Sequence, residues 1–239
     1  MAEAGNSDAL PSSRLGTKEH WDSVYEREVQ TFKEIGDQGE VWFGLESAEE
    51  MAEWVVDHYG VSSDSAYPTM LDVGCGNAHL LLLLAESGYA PEQLTGIDYS
   101  EASIELSKAI IKGHETEEDF SAIKLETVDV IQDDYSRNGT NQFDLVLDKG
   151  TFDAIALCPM PENGTPHPSD IYPSRIASLT KSNGGIFLIT SCNFTEEELK
   201  KRFLTPQTGF EYLENIPRQT FEFGGSVGQT IVTVAFKKK

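Results

Sequence analysis

The chain has 239 residues, 39% of them hydrophobic, enough for one large α/β domain or two small ones. No apolar run approaches the ~18 residues of a membrane span, and the amino terminus lacks the basic start and apolar segment of a secretory signal, so no membrane partner is expected. The net charge of −22 repels phosphate backbones, so nucleic acid is not expected as a substrate; a basic protein surface is. Three widely spaced cysteines (75, 158 and 192) suit reduced thiols in the cytoplasm, with the nucleus as a second location. Five histidines (20, 58, 79, 114 and 167) have no ligand-like spacing, so no metal is expected.

Residues 1–17 are polar and read as a disordered tail. Residues 18–28 carry a helical pattern, with Trp21, Val24 and Tyr25 on one face. A glycine-punctuated loop follows, with two adjacent aromatics, Trp42 and Phe43. Ser47, with Glu50 three places on, predicts a capping box for a helix carrying Met51, Trp54 and Val55. The apolar run from Met70 then ends in Gly74-Cys75-Gly76, a leucine-rich helix spans His79 to Glu86, and a second apolar run ends at Asp98. A helix over 101–111 and a charged loop over 112–119 lead to a third strand over 123–130, ending at Asp129. The fourth strand spans 143–148, followed by a short helix over 151–157. Five prolines in 158–173 predict a surface loop, with a helix possible from Ile171 to Leu179. Strand five spans 184–190, and Thr195 caps a helix over 196–203. Residues 210–216 and 229–237 read as an antiparallel pair joined across the turn at 224–228.

Five βα repeats and a terminal hairpin predict an α/β fold, mostly parallel, with ligands at the carboxyl ends of the strands. No linker divides the chain, so 18–239 is expected to be a single domain, with 18–66 as an amino-terminal helical extension. The two glycines of 74–76 let backbone N–H groups approach a ligand, the next helix points its positive end there, and Asp98 suits a ribose diol. A nucleoside-containing cofactor follows. A dinucleotide site usually reads Gly-x-Gly-x-x-Gly, but His79 stands at the third glycine position.

The string Leu71-Asp72-Val73-Gly74-Cys75-Gly76-Asn77, with Gly96-Ile97-Asp98-Tyr99-Ser100, instead resembles the first two motifs of the seven-strand (class I) S-adenosylmethionine-dependent methyltransferases. Asp148-Lys149-Gly150-Thr151-Phe152-Asp153-Ala154 is similar to the Asp-Lys-Gly-Thr motif of a branch of protein-lysine methyltransferases. With Trp21-Asp22-x-x-Tyr25 and Gly39-Glu40-Val41-Trp42-Phe43-Gly44, it resembles the branch that methylates a lysine of translation elongation factor 1-alpha. The resemblance spans about residues 18–237. It implies a Rossmann-like seven-stranded sheet, S-adenosylmethionine as cofactor with S-adenosylhomocysteine as product, no metal, and a monomer acting on elongation factor 1-alpha.

Site residues follow on the same footing. Asp98 would hold the ribose, and Asp129 with the N–H of Val130 would read the adenine edge. The turn Gly74-Cys75-Gly76 would cradle the methionine part, with Asp72 toward its ammonium group; Tyr99 and Trp42 would also contact the cofactor. Asp148 is expected at the reacting end, as the catalytic residue that positions the incoming amine rather than as a strong base. Trp21, Tyr25, Phe43 and Phe152 are expected to meet the substrate. A small-molecule methyltransferase and a non-catalytic scaffold of the same fold stay open, with a nicotinamide oxidoreductase more distant.

Overall fold

A computed structural model of the protein describes residues 10–61, 67–114, 119–135, 142–162, 164–217, 221–223, 226–228 and 231–239. Seven strands form one sheet: β1 Met70–Val73, β2 Leu94–Asp98, β3 Lys124–Thr127, β4 Leu145–Lys149, β5 Ile186–Ser191, β6 Phe210–Ile216 and β7 Val232–Lys238. Their order is β3-β2-β1-β4-β5-β7-β6. Strands β1 to β5 run parallel, and β7 lies antiparallel between β5 and β6. This is the seven-stranded, mostly parallel sheet expected from the alternating pattern, with its antiparallel carboxyl-terminal pair. A separate short ribbon pairs Phe221–Phe223 with Ser226–Gly228. Residues 224–225 of the expected turn and 229–230 of the expected last strand lie outside the described residues.

The helices are α1 Lys18–Ile35, α2 Gly44–Tyr59, α3 His79–Glu86, α4 Glu101–Gly113, α5 Thr151–Ala156, α6 Pro168–Leu179 and α7 Glu196–Phe203. Every residue of β1, β2 and β5 is buried, because helices cover both faces of the sheet. On one face Met70, Leu145 and Leu147 pack with Val55, Leu84 and Ile104 of α2, α3 and α4. On the other, Val73, Val146 and Phe187 pack with Phe152, Tyr172 and Phe203 of α5, α6 and α7. Among the described residues, no helix is long and apolar enough to cross a membrane.

Several local expectations change. Helix α1 runs past Glu28 because Val29 and Phe32 continue its apolar face, Lys33 pairs with Glu105 of α4 at 2.8 Å, and left-handed Gly36 ends it. Helix α2 starts at Gly44 rather than Ser47: Phe43 is its N-cap, and the Ser47 hydroxyl donates back to the Phe43 carbonyl at 2.7 Å, so the predicted capping box is not formed. The predicted cap Thr195 is present in α7, where it forms a capping box with Glu198. The proline-rich segment becomes helical from Pro168, which at the first helical position has no N–H to leave unsatisfied. Strand β3 stops at Thr127, because the Asp129 carboxylate accepts from the N–H groups of Ile131 and Gln132 and folds the chain into a turn.

The amino-terminal segment is also ordered further back than expected. Ser13 N–H donates to the Leu157 carbonyl at 3.0 Å, the Trp21 indole donates to the Leu15 carbonyl at 2.7 Å, and Cys158 Sγ donates to the Gly16 carbonyl at 3.0 Å. Residues 13–17 thus dock on the end of α5. Residues 1–9 of the expected tail lie outside the described residues.

Candidate active site

Parallel pairing sets which side chains can meet. Asp72 pairs with Gly96 of β2 and Leu147 of β4; Val73 pairs with Ile97 and Asp148. Paired residues of a parallel sheet share a face, and successive residues alternate. Asp72, Asp98 and Lys149 therefore fall on one face, and Asp148 falls on the other.

A cavity of about 290 Å³ opens at the carboxyl ends of β1, β2 and β4, where the strand order reverses about β1. Asp72, Asp98, Asp129 and Lys149 reach its wall, together with Trp21, Tyr25, Trp42 and Tyr99. The two tryptophan rings meet edge to face at 4.5 Å, so α1 and the loop before α2 close one side together.

The glycine turn is held from within. The N–H groups of Gly74 and Cys75 donate to the Ile97 carbonyl at 2.8 and 3.0 Å, and that of Gly76 donates to Asp98 Oδ2 at 3.1 Å. The turn N–H groups expected to face a ligand are thus spent on β2. Glycine is required here for close approach. A Cβ on Gly74 would stand 2.0 Å from Thr151 Oγ1, and one on Gly76 would stand 2.8 Å from the Tyr25 hydroxyl. Both residues have positive φ.

Each acid has a distinct environment. Asp98 is buried and accepts from Gly76 and Ser100 N–H groups at 3.1 and 2.9 Å; burial raises its pKa and these bonds oppose the rise. A carboxylate offers about four lone-pair sites, so Asp98, which lines the cavity, keeps acceptor capacity beyond these bonds. Burial pushes Asp72 up to about 7, with the attraction of Lys149 working the other way. Burial lowers the pKa of Lys149, and Asp72 and Asp148 counter that shift. The Lys149 ammonium donates to the Trp42 carbonyl at 2.7 Å.

Asp148 is 0% exposed and is absent from the cavity wall, against expectation. Its carboxylate accepts from Thr151 N–H at 2.8 Å, Phe152 N–H at 3.1 Å and the Tyr172 hydroxyl at 2.7 Å. It caps α5 and is pushed up to about 7 by burial, with Asp153 adding to the rise. Phe152 is likewise a core residue, stacked on Tyr172 and Phe194, and not a substrate contact. Phe43 stands behind the wall, its ring against Gly150. The other expected residues are on the wall: Gly74, Cys75, Gly76 and Val130, besides the acids and aromatics already named.

Residues the motif reading passed over are Lys149, His79 and Thr151, all on the wall. Lys149 was detectable by counting sheet parity from Asp72. His79 had a weaker signal, a polar residue opening a run of leucines. Among the described residues, no cluster of three or more His, Cys, Asp or Glu side chains is placed to hold a metal ion.

Comparison with known proteins agrees with this architecture. A family model described as a methyltransferase domain matches residues 64–225. The chain is 44% identical to protein-lysine N-methyltransferase efm4 of Schizosaccharomyces pombe, over 95% of each chain. It is 42% identical to EEF1A lysine methyltransferase 2 of Homo sapiens, over 97% of this chain and 89% of that protein. Among solved structures, the N-methyltransferase NodS of Bradyrhizobium japonicum, in complex with S-adenosylhomocysteine, shares the fold with a TM-score of 0.57 at 16% identity, covering 91% of this chain and 98% of that one. The chain therefore belongs to the protein-lysine N-methyltransferase family of these fungal and human relatives, and is an enzyme of that class.

Proposed function

We propose that this enzyme transfers methyl groups from S-adenosylmethionine to a lysine of translation elongation factor 1-alpha, in the cytoplasm, and that the cavity on the Asp72 face of the sheet is where it does so. The observation that carries this reading is the pair Asp98 and Asp72 on that face, one with open acceptor sites beside the glycine turn and one facing the cavity without a hydrogen-bond donor among the described residues. A ribose diol and an ammonium group are the complements of such acids.

S-adenosylmethionine, when bound, supplies an electrophilic methyl group on a sulfonium centre. Asp98 would hold the ribose hydroxyls. The Val130 N–H, which meets no acceptor among the described residues, would donate to the adenine edge. Asp129 has one carboxylate oxygen engaged by its own turn and would accept with the other. Trp21, Tyr25 and Trp42 line the same cavity and would shield the bound cofactor from water.

The incoming lysine must react as the neutral amine. At pH 7 only about one free lysine in 2,500 is neutral, which corresponds to about 4.6 kcal/mol. Nearby carboxylates favour the ammonium form, so they guide the side chain inward without acting as strong bases. With Asp148 buried on the other face, the proton leaves to water at the rim. The net charge of −22 suits a basic protein surface, and the names of both relatives give protein-lysine methylation, the human one specifying EEF1A.

The test is to incubate purified protein, S-adenosylmethionine and purified elongation factor 1-alpha, and to map methylated residues by peptide mass spectrometry. Methylation of one lysine, lost in Asp98→Ala, is expected. An unmodified elongation factor would overturn the substrate assignment.

A further inference from the structure

Helix α4 carries two serines among the apolar residues of its buried face. Ser103 and Ser107, one turn apart, are both 0% exposed, and Ile104, Leu106 and Ile110 beside them belong to the core. A serine inside a helix commonly donates to the carbonyl four residues back in the same helix. The single protons of these two go elsewhere. Ser103 Oγ donates to the Gly76 carbonyl at 2.7 Å, and Ser107 Oγ donates to the same carbonyl at 2.6 Å, across 27 and 31 residues of chain. A carbonyl oxygen has two lone pairs, so both of those on Gly76 are taken.

Gly76 is also a residue that holds Asp98. Its N–H donates to Asp98 Oδ2 at 3.1 Å, and the N–H of Ser100, the N-cap of α4, donates to Oδ1 at 2.9 Å. Each oxygen of the carboxylate is thus fixed by a backbone group that α4 either contains or grips. Burial raises the Asp98 pKa, and Ser103 is among the groups that oppose the rise. Gly76 itself has φ 57 and no side chain to fix it, so the grip must come from a neighbour, and α4 supplies it twice.

We propose that Ser103 and Ser107 are positioning residues for the ribose of S-adenosylmethionine: by gripping the Gly76 carbonyl they keep the Gly76 N–H on Asp98, and so keep the Asp98 carboxylate set for the ribose hydroxyls. This deepens the cofactor reading above and rests on it. Neither serine lines the cavity, so both act through Asp98. A carboxylate set in advance need not be ordered when the ligand arrives, which is how preorganisation raises affinity. The pair therefore carries a signature that simple core filling lacks: its effect is confined to ligands that have the ribose hydroxyls, and it vanishes when Asp98 is gone.

The experiment is calorimetric titration of the full-length protein with S-adenosylhomocysteine and with the analogue that lacks both ribose hydroxyls. Ser103→Ala and Ser107→Ala are made singly and together, each alone and in an Asp98→Ala background; the single variants leave the Gly76 carbonyl one partner. The double serine variant is expected to bind S-adenosylhomocysteine about 10-fold more weakly and each single variant about 3-fold, the value of hydrogen bonds between neutral groups. Affinity for the hydroxyl-free analogue stays at the wild-type value, and in the Asp98→Ala background the serine substitutions change nothing further. Equal weakening of both ligands would overturn the proposal by showing a structural role only. Unchanged affinity for S-adenosylhomocysteine in the serine variants, or a loss that persists in the Asp98→Ala background, would overturn it as well. Wild type binding both ligands equally would instead overturn the ribose reading of Asp98, and the proposal with it.

Discussion

Asp72 and Asp148 stand one register step apart on adjacent strands, Asp72 beside Leu147 and Asp148 beside Val73, and so face opposite sides of the sheet. One carboxylate borders the cavity; the other is sealed in the core under Tyr172. The proposed binding falls on the Asp72 face, while Asp148 holds the first turn of α5 through the Thr151 and Phe152 N–H groups.

Removing Asp98 tests the ribose assignment. If Asp98 holds the ribose as proposed, Asp98→Ala loses a charge-assisted acceptor worth about 1.5–3 kcal/mol per hydrogen bond. The expected loss is about 100-fold or more in affinity for S-adenosylmethionine, read by calorimetry. Unchanged affinity would remove Asp98 from the site.

Asp148→Asn tests whether that residue is structural. Its folded-state pKa of about 7 lies above the ~3.9 of an unfolded chain, so the neutral acid is favoured in the fold. The associated stability is full below about pH 4 and is lost as the pH rises through about 7, a span of about 4 kcal/mol at ~1.36 per unit. Asparagine has no charge to bury and keeps an oxygen for the Thr151 and Phe152 N–H groups. Urea unfolding at pH 5 and pH 8 should show a shallower decline for Asp148→Asn than for wild type, with cofactor affinity little changed. A parallel decline in the two proteins would contradict the buried-acid account.

How much of this was legible in the sequence differs by element. The ends of β1 and β2 were, because short apolar runs stop at glycine or aspartate, whereas β3 stops at Thr127, before Asp129. The sidedness of Asp148 was also available, since alternation within β4 places Lys149, not Asp148, on the face of Leu147 and Asp72. Strand ends alone place Asp148 at the reacting end, whereas parity puts it on the opposite face from Asp72. Docking of residues 13–17 on α5 was not legible: it rests on tertiary bonds from backbone groups, which leave no pattern in polar residues. The early start of α6 was hidden by Pro168 and Pro173, one of which is a helix starter.

Phe152 and Trp42 separate core from wall. Phe152 is 0% exposed, and Phe152→Ala should cost about 3–5 kcal/mol of stability. Trp42→Ala keeps the carbonyl that aims Lys149 and removes a wall of the cavity, so it should weaken cofactor binding with the smaller stability loss of an aromatic pair, about 0.5–1.5 kcal/mol. Paired thermal melts and titrations would show the opposite signatures; matching losses in both variants would refute the division.

Gly74→Ala tests the close approach at the turn. The added methyl would enter Thr151 Oγ1, which donates to the Val73 carbonyl at 2.6 Å, at a backbone position with φ 72. Positive φ alone costs a residue with a side chain about 1–2 kcal/mol. A lower melting temperature and weaker cofactor binding are expected together, and Thr151→Ser with Gly74→Ala should not restore either, because the clashing oxygen remains. Wild-type behaviour of Gly74→Ala would show that the turn has room the geometry denies.

Label transfer tests the proposed methylation directly. Purified protein is incubated with methyl-labelled S-adenosylmethionine and extract from cells lacking the endogenous enzyme, and labelled proteins are identified by mass spectrometry. Label is expected on a lysine of elongation factor 1-alpha, absent when Asp98→Ala replaces wild type. Label confined to small molecules, or retained by Asp98→Ala, would contradict it.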